Sequence, residues 1–212
     1  ILKEEFLTGG KVTSLLTRHT KLIDNLLSAL YSAVASSDDK VAVVAVGGYG
    51  RGEMFPYSDI DLLFLYNPAD EAQAASIVES LLYILWDMGF KVGQAHRTLE
   101  EALELAVSDI TIRTNLVDAR CVVGNKQLFE EFHKRFDSEI MESKISEFIE
   151  AKLLERDNRH TRFGDSRYML EPNVKEGKGG LRDAHTLWWL ARSAYSLTNN
   201  NELVEHGLVS RE

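Results

Sequence analysis

A glycine pair that follows one apolar run, and two aspartates that head the next, restrict the fold more than any other feature of this sequence. The first run, Val41–Val46, is mostly β-branched and is typical of a buried strand. Gly47 and Gly48 follow it directly, and after a spacer of ten residues Asp59 and Asp61 begin a second apolar run. The pattern predicts two strands joined by a glycine-rich turn, with paired carboxylates where the second strand begins.

The aspartate pair predicts a metal site. Side chains alternate along a strand, so Asp59 and Asp61 are expected on the same face, about 7 Å apart along the chain. Carboxylates this close repel unless a cation neutralises them, and two cations about 3.5–4 Å apart are typical of phosphoryl and nucleotidyl transfer. Mg²⁺ is the best match, because it needs few carboxylates and completes its shell with water and phosphate oxygens. Gly47 and Gly48 lack Cβ atoms, so their backbone N–H groups can approach a triphosphate closely.

Other phosphate-binding motifs do not match. A Walker A loop requires Gly-Lys-Ser/Thr, whereas Gly52 is followed by Glu53 and Met54. A dinucleotide fingerprint requires a glycine three residues after Gly50, where the sequence has Glu53. The remaining alternative is a glycine-rich hairpin followed by a solvated acidic strand end, without a ligand.

The stretch resembles the nucleotidyltransferase superfamily that includes DNA polymerase β. In that superfamily a strand leads into Gly-Gly or Gly-Ser, and Asp-apolar-Asp-apolar follows after a spacer. Here Gly47 and Gly48 precede Asp59-Ile60-Asp61-Leu62 at the matching separation. The resemblance implies an α/β (α+β) nucleotidyltransferase fold, with a small mixed sheet flanked by helices and a helical subdomain after it.

Composition narrows the class of protein. The chain has 212 residues and a formal net charge of −9, which argues against a nucleic-acid substrate, because such proteins normally present a basic face. No apolar run approaches the roughly 20 residues that span a bilayer. The single cysteine, Cys121, excludes an internal disulfide framework, and no signal peptide is visible, so we expect a cytoplasmic protein. The chain begins without Met, and we expect it to be part of a longer protein.

Apolar periodicity predicts the remaining elements. Helices are predicted over residues 11–34, ended by Ser36–Asp39, and over residues 70–88; further strands are predicted at Phe90–Arg97 and Ala119–Val123. Thr98 and Glu101 form a capping-box pattern, and Asp109 is a predicted N-cap.

From Lys126 the pattern is helical for about 35 residues. We therefore predict a nucleotidyltransferase domain with an N-terminal helix at residues 1–124. A helical extension, truncated at its C-terminus, is predicted at residues 125–212.

A second glycine-rich stretch lies at Tyr168–Asp183, before a predicted helix. Gly177, Gly179 and Gly180 would let the backbone approach a ligand; Lys175, Lys178 and Arg182 supply positive charge beside them. A helix N-terminus also favours an anion. The stretch is equally consistent with a lid over nucleotide phosphates and with a structural loop whose charges are solvated.

Together, the two stretches resemble the bacterial uridylyltransferase/uridylyl-removing enzymes, which modify the nitrogen-regulatory protein PII. The resemblance implies that Gly47, Gly48, Asp59 and Asp61 belong to a transferase site that uses UTP and Mg²⁺. It also implies that Lys175–Asp183 belongs to the helical extension. Enzymes of this family continue into a phosphohydrolase domain of the HD type and paired ACT domains; no His-Asp doublet appears here, so neither uridylyl removal nor glutamine sensing is assigned to this chain.

Three further residues are candidates with open alternatives. The superfamily usually has a third carboxylate on a neighbouring strand, but Phe90–Arg97 contains no acid, and Asp118 is the candidate metal ligand. It is otherwise a surface residue at a helix end. Arg51 either binds a phosphate or pairs with Glu53. Ser58 either bonds a phosphate oxygen or caps a turn.

The predicted reaction is uridylyl transfer from UTP to a tyrosine of PII, with release of pyrophosphate. One alternative is an adenylyltransferase that acts on a small molecule or another protein, because no residue pattern distinguishes uracil from adenine. The other is a nucleotide-binding module without turnover, which the uncertain third carboxylate keeps open.

Overall fold

The computed structural model describes residues 2–35, 40–163, 171, 173–195, 197 and 201–210. The chain forms two compact units, Ile1–Arg135 and Phe136–Glu212. This division lies after the predicted domain boundary at Gly124, because the helix Lys126–Arg135 packs against strands of the first unit.

A mixed sheet lies at the centre of the first unit. Among the described residues it has four strands, β1 (Val41–Ala45), β2 (Ile60–Tyr66), β3 (Val92–Thr98) and β4 (Arg120–Gly124), in the order β3-β2-β1-β4. Strand β1 is antiparallel to β2 and β4, whereas β2 and β3 are parallel. The predicted small mixed sheet flanked by helices is confirmed.

Helices cover this sheet. Those described in the first unit are α1 (Leu2–Leu7), α2 (Val12–Val34), α3 (Gly47–Gly50), α4 (Glu71–Asp87), α5 (Leu99–Ser108), α6 (Ile110–Val117) and α7 (Lys126–Arg135). The core joins α2 and α4 to one face of the sheet, where Leu27, Leu81 and Leu62 are buried together. Because side chains alternate along β2, Asp61 belongs to the opposite face.

The predicted helix caps are confirmed. The Thr98 hydroxyl accepts a hydrogen bond from the Glu101 N–H (3.3 Å), and the Glu101 carboxylate accepts one from the Thr98 N–H (2.8 Å). The Asp109 carboxylate likewise accepts from the N–H groups of Thr111 and Ile112. These bonds satisfy amide groups that have no partner inside the helix. Ser36–Asp39, the predicted end of α2, lies outside the described residues.

Two details differ from the sequence prediction. The glycine pair forms a short helix, α3, rather than a turn alone. The helical pattern after Lys126 is not continuous, because a π-helical segment, Phe136–Glu142, follows α7. Phe136 and Ile140 of this segment are buried.

The second unit is helical where it is described. After the π-helical segment it contains α8 (Ile145–Arg162), α9 (Leu181–Tyr195) and α10 (Asn201–Glu205), and α8 contacts α9. In the part of the chain that the structure describes, no helix is both long and apolar enough to cross a membrane.

Candidate active site

The carboxylates of Asp59 and Asp61 lie near one another at the start of β2. Asp61 is half-buried in the strand, and Asp59 is exposed just before it. Burial raises the pKa of the Asp61 carboxyl, and the negative charge of Asp59 raises it further. Residues at this spacing along an extended chain are about 7 Å apart, so Asp59 and Asp61 are near neighbours. Paired carboxylates of this kind attract a cation.

The start of the glycine helix lies against Asp61. Gly47 has a φ of +57°, a left-handed conformation that glycine adopts without strain. A Cβ atom at this position would be 3.4 Å from Asp61 Oδ2. The Val46 N–H donates a hydrogen bond to the Asp61 carbonyl oxygen (3.1 Å), which ties the end of β1 to β2. The fold thus brings together Gly47 and Asp61, which are separated in the sequence.

Gly48 and Ser58 lie in the connection between β1 and β2. The Gly48 carbonyl accepts a hydrogen bond from the Glu53 N–H (3.0 Å). This bond closes residues 47–53, which we call the glycine segment. Ser58 is exposed directly before Asp59, and its N–H donates to the Phe55 carbonyl (3.1 Å). Their predicted contacts with phosphate remain predictions.

Arg51 joins the glycine segment to the end of α6. Its Nε donates to Glu53 (2.9 Å), and its Nη1 donates to Asp118 Oδ2 (3.2 Å). Both Arg51 and Asp118 are largely shielded from solvent, with side chains 10% and 3% exposed. Arg51 thus pairs with both Glu53 and Asp118. Phosphate binding by Arg51 and metal binding by Asp118 remain predictions.

A second hydrogen-bond network connects the glycine segment to α2 and β4. The hydroxyl of Tyr49, in α3, donates to Asp24 Oδ1 in α2 (2.6 Å). Arg120, in β4, donates to both oxygens of Asp24 (2.8 and 3.0 Å), and its guanidinium lies 4.9 Å from the centre of the Tyr49 ring. Burial raises the pKa of the Tyr49 hydroxyl well above its usual range, so it remains a donor to Asp24. The sequence gives no signal for this contact, because its members are far apart.

Asn115 is a further residue at the site that sequence reasoning missed. It is exposed on α6, and its Oδ1 would be 3.7 Å from a Cβ atom on Gly47. The Asn115 amide and the Asp61 carboxylate therefore both approach Gly47. An amide side chain offers both a donor and an acceptor to a ligand.

The donor set fits Mg²⁺ better than a transition metal. Among the described residues, no group of three or more His, Cys, Asp or Glu side chains is placed to hold a metal ion. Mg²⁺ does not need such a cage, because one or two carboxylates suffice when water and phosphate oxygens complete the shell. The two hard carboxylates of Asp59 and Asp61 meet this requirement.

Comparison with known families gives the context for this geometry. The family model described as "Nucleotidyltransferase domain" matches residues 27–154, which include the glycine segment and both aspartates. The chain belongs to the nucleotidyltransferase family. A second model, "GlnD PII-uridylyltransferase", matches residues 147–212 of the same nucleotidyltransferase.

Curated relatives of this nucleotidyltransferase are named bifunctional uridylyltransferase/uridylyl-removing enzyme. The protein from Bradyrhizobium diazoefficiens is 47% identical over 198 residues, which cover 89% of this chain and 21% of the relative. The proteins from Novosphingobium aromaticivorans and Erythrobacter litoralis are each 45% identical, over 89% and 91% of the chain. The predicted resemblance is confirmed, and the chain spans about a fifth of the length of these relatives.

A solved toxin–antitoxin structure with AMP-PNP is also similar to the nucleotidyltransferase. It is 16% identical, covers 57% of this chain and 89% of its own, and has a TM-score of 0.35, which is too low to support an argument.

The second unit of the nucleotidyltransferase contains the other predicted ligand residues. Lys175 is exposed, and its N–H donates to Asn173 Oδ1 (3.0 Å). Arg182 is half-buried, 3.8 Å from Glu176 and 5.9 Å from the centre of a Trp189 ring. These contacts are compatible with both alternatives for the loop, and phosphate binding by Lys175 and Arg182 remains a prediction.

Asp183 organises the same loop. Its carboxylate accepts hydrogen bonds from the Gly179 N–H (2.7 Å), from His160 Nε2 (2.9 Å) and from Arg159. Burial acts to raise the pKa of Asp183, but these hydrogen bonds outweigh it, and the pKa lies below its ordinary value. The ionised side chain of Asp183 therefore connects the loop before α9 to α8.

Proposed function

We propose that this chain carries the transferase site of a PII uridylyltransferase, which moves UMP from UTP to a tyrosine hydroxyl of PII. The tyrosine hydroxyl releases its proton to solvent and its oxygen bonds to the α-phosphorus. The bond from that phosphorus to the bridging oxygen breaks, and pyrophosphate leaves. The observation that carries the proposal is the Asp61 carboxylate beside Gly47, with Asp59 two positions before it in the chain. The names of the relatives support the choice of uridylyl transfer.

The aspartates and the glycine segment have different roles in this proposal. Asp59 and Asp61 would hold Mg²⁺, which neutralises charge on the triphosphate. The backbone of Gly47 and Gly48 would contact the β- and γ-phosphates, since no side chain blocks their approach. Positioning and charge neutralisation then contribute more to the rate than any covalent step.

Other polar side chains would complete the nucleotide site. We place the exposed Ser58 and Asn115 beside the nucleotide, because both lie next to the aspartate pair or Gly47. Lys175 and Arg182 remain candidates for phosphate contacts in the second unit.

Asp118, the candidate third carboxylate, has a different role in this proposal. In this structure the Asp118 side chain is 3% exposed, and its Oδ2 accepts a hydrogen bond from Arg51. We therefore propose that Asp59 and Asp61 bind the metal, and that Asp118 acts through Arg51 by holding the glycine segment. Binding of Asp118 to the ion remains the alternative, and a nucleotide-bound structure would distinguish the two.

The first test replaces each aspartate in the full-length protein. With labelled UTP and purified PII, Asp59→Asn and Asp61→Asn should each lower PII labelling by about a hundredfold or more, because each removes a charge that orders the triphosphate. Asp87→Asn, an exposed carboxylate at the end of α4, is the matched control and should retain activity. Full labelling in either active-site variant would exclude this mechanism.

A second test addresses the nucleotide. Because a ligand that binds the folded state stabilises it, UTP with Mg²⁺ should raise the melting temperature of the full-length protein more than ATP with Mg²⁺. A preference for ATP would favour adenylyl transfer. Nucleotide binding without release of pyrophosphate, in the presence of PII, would favour a binding module.

We also propose that the protein acts in the cytoplasm and that its substrate is not a nucleic acid.

A further inference from the structure

Gly93 lies directly opposite Asp61 in the sheet. Strands β2 and β3 are parallel, and their register pairs Asp61 with Gly93. Gly93 is exposed and is not among the glycines with a positive φ, so its backbone conformation is open to any residue. Glycine usually weakens a strand, and its presence in a strand often marks a close approach by another group. The backbone conformation therefore does not explain the glycine at this position. The remaining explanation is that there is no room for a side chain.

The space at Gly93 is filled by Asp61. A Cβ atom on Gly93 would be 2.4 Å from Asp61 Oδ1, 3.6 Å from its Cγ and 4.0 Å from its Cα. The three heavy atoms nearest to this Cβ position, apart from Gly93 and its chain neighbours, all belong to Asp61. The carboxylate thus lies over the Gly93 backbone, where any other residue would place a side chain.

The two oxygens of Asp61 face two different glycines. Oδ1 lies over Gly93 in β3, and Oδ2 lies 3.4 Å from the Cβ position of Gly47 at the start of α3. The carboxylate is therefore held in a slot between two backbones that lack side chains. Rotation of the Asp61 side chain out of this slot would move Oδ2 away from Gly47.

We propose that Gly93 is a positioning residue for Asp61, and that its missing side chain keeps the carboxylate in the orientation that binds the metal. The proposal rests on the metal-binding role proposed above for Asp61. Gly93 lies in β3, the strand in which no third carboxylate is present. Its proposed role depends on the room left by its missing side chain and not on a charge.

The test is Gly93→Ala in the full-length protein. The new Cβ displaces Asp61 Oδ1, so Mn²⁺, used alone as a probe for this site, should bind about 10–100-fold more weakly. Mn²⁺ bound by an Asp61→Asn variant is subtracted, so that other sites do not contribute. The control is Gln94→Ala, an exposed neighbour in β3 whose side chain points to the other face; it should bind Mn²⁺ like the wild type. Unchanged Mn²⁺ binding in Gly93→Ala would overturn the proposal.

A thermal double-mutant cycle separates positioning from a general loss of folding. Gly93→Ala should lower the melting temperature in the wild-type background, because the Cβ meets the carboxylate. In an Asp61→Ala background the obstacle is gone, so the same change should be neutral or stabilising. An equal loss in both backgrounds would show that Gly93 has only a structural role. This coupling requires neither metal nor turnover, so it is independent of the proposed function.

Discussion

At the scale of single residues, Asp61 has a proposed role in metal binding but an environment that disfavours its negative charge. Asp61 is half-buried near Asp59, and both burial and the neighbouring charge disfavour its ionised form. An ionised carboxylate in such a place lowers the stability of the protein without metal. Functional sites often retain residues of this kind, because ligand binding requires charges that folding alone would not favour.

Asp61→Asn should therefore stabilise the metal-free protein at neutral pH. The folded-state pKa of Asp61 is raised, so the folded state holds this proton at pH values where the unfolded state has released it. The free energy of unfolding therefore falls as pH rises through that interval. Above the folded-state pKa, the full energetic cost of the ionised Asp61 carboxylate is present. The gain from Asp61→Asn should shrink as pH decreases through this interval.

The measurement is the melting temperature across an acidic to neutral pH series, with a chelator present. Asp87→Asn serves as the control, and its effect should not follow the same pH profile. A lower melting temperature for Asp61→Asn at neutral pH would contradict the assigned electrostatic cost.

At the scale of elements, the glycine segment is positioned by α2. Tyr49 binds Asp24, while the Thr20 hydroxyl of the same helix donates to the Gly52 carbonyl (2.9 Å). His19 Nδ1 lies 2.8 Å from the Met54 carbonyl. Helix α2 thus contacts the connection between β1 and β2 at several points, and it fixes the backbone that approaches Asp61.

Asp24→Ala should loosen this connection. It removes the acceptor of the Tyr49 hydroxyl, which is part of a buried residue, and a charged partner of Arg120. Loss of these bonds should cost about 1–3 kcal/mol of unfolding free energy. Nucleotidyl transfer should also fall, since the glycine segment is less well fixed.

Thermal melting and PII labelling measure the two effects. Asn25→Ala, at the next and exposed position of α2, should change neither substantially. If Asp24→Ala melts like the wild type, the network does not support the glycine segment.

At the scale of the whole molecule, the two compact units depend on different interactions. The first has a sheet core, whereas the described part of the second has a network around Asp183 and a buried lysine, Lys152. Lys152 donates to Glu155 (2.7 Å) and lies 4.5 Å from the centre of a Trp189 ring. Burial lowers the pKa of Lys152, although Glu155 opposes that shift.

The second unit should lose stability in acid through Asp183. The folded-state pKa of Asp183 is below its ordinary value, so its stabilisation is present above the unfolded-state pKa and is lost as pH falls through the folded-state pKa. At neutral pH, Asp183→Asn should cost about 1–3 kcal/mol, because Arg159 and His160 lose a charged acceptor.

The difference between Asp183→Asn and the wild type should decrease at low pH, where both side chains are uncharged. Thermal melting at several pH values checks this. Asp157→Asn is the matched control on α8, since its pair with Arg156 is exposed and should contribute little. Equal effects of the two substitutions would contradict the role of Asp183.

Local patterns were sufficient for most of the elements, although not for α3 or the π-helical segment, and for part of the candidate site. Alternation and β-branching predict β1 and β2, and the capping pattern at Thr98 predicts the start of α5. The spacing from Gly47 to Asp59 and Asp61 predicts the candidate metal site, because adjacent elements carry all of it. The sequence also shows Gly93 within a predicted strand, but only its pairing with Asp61 explains why a glycine is there.

The sequence by itself determined the strand–glycine–aspartate unit and the family, since their signals lie within short stretches. Only the tertiary structure decided that Gly93 faces Asp61, that Asp24 holds Tyr49, and that Arg51 pairs with Asp118. These partners are far apart in the chain, and strand register and helix packing bring them together. Local propensity contains no information about such contacts, because they arise from the pairing of surfaces that form only when the core assembles.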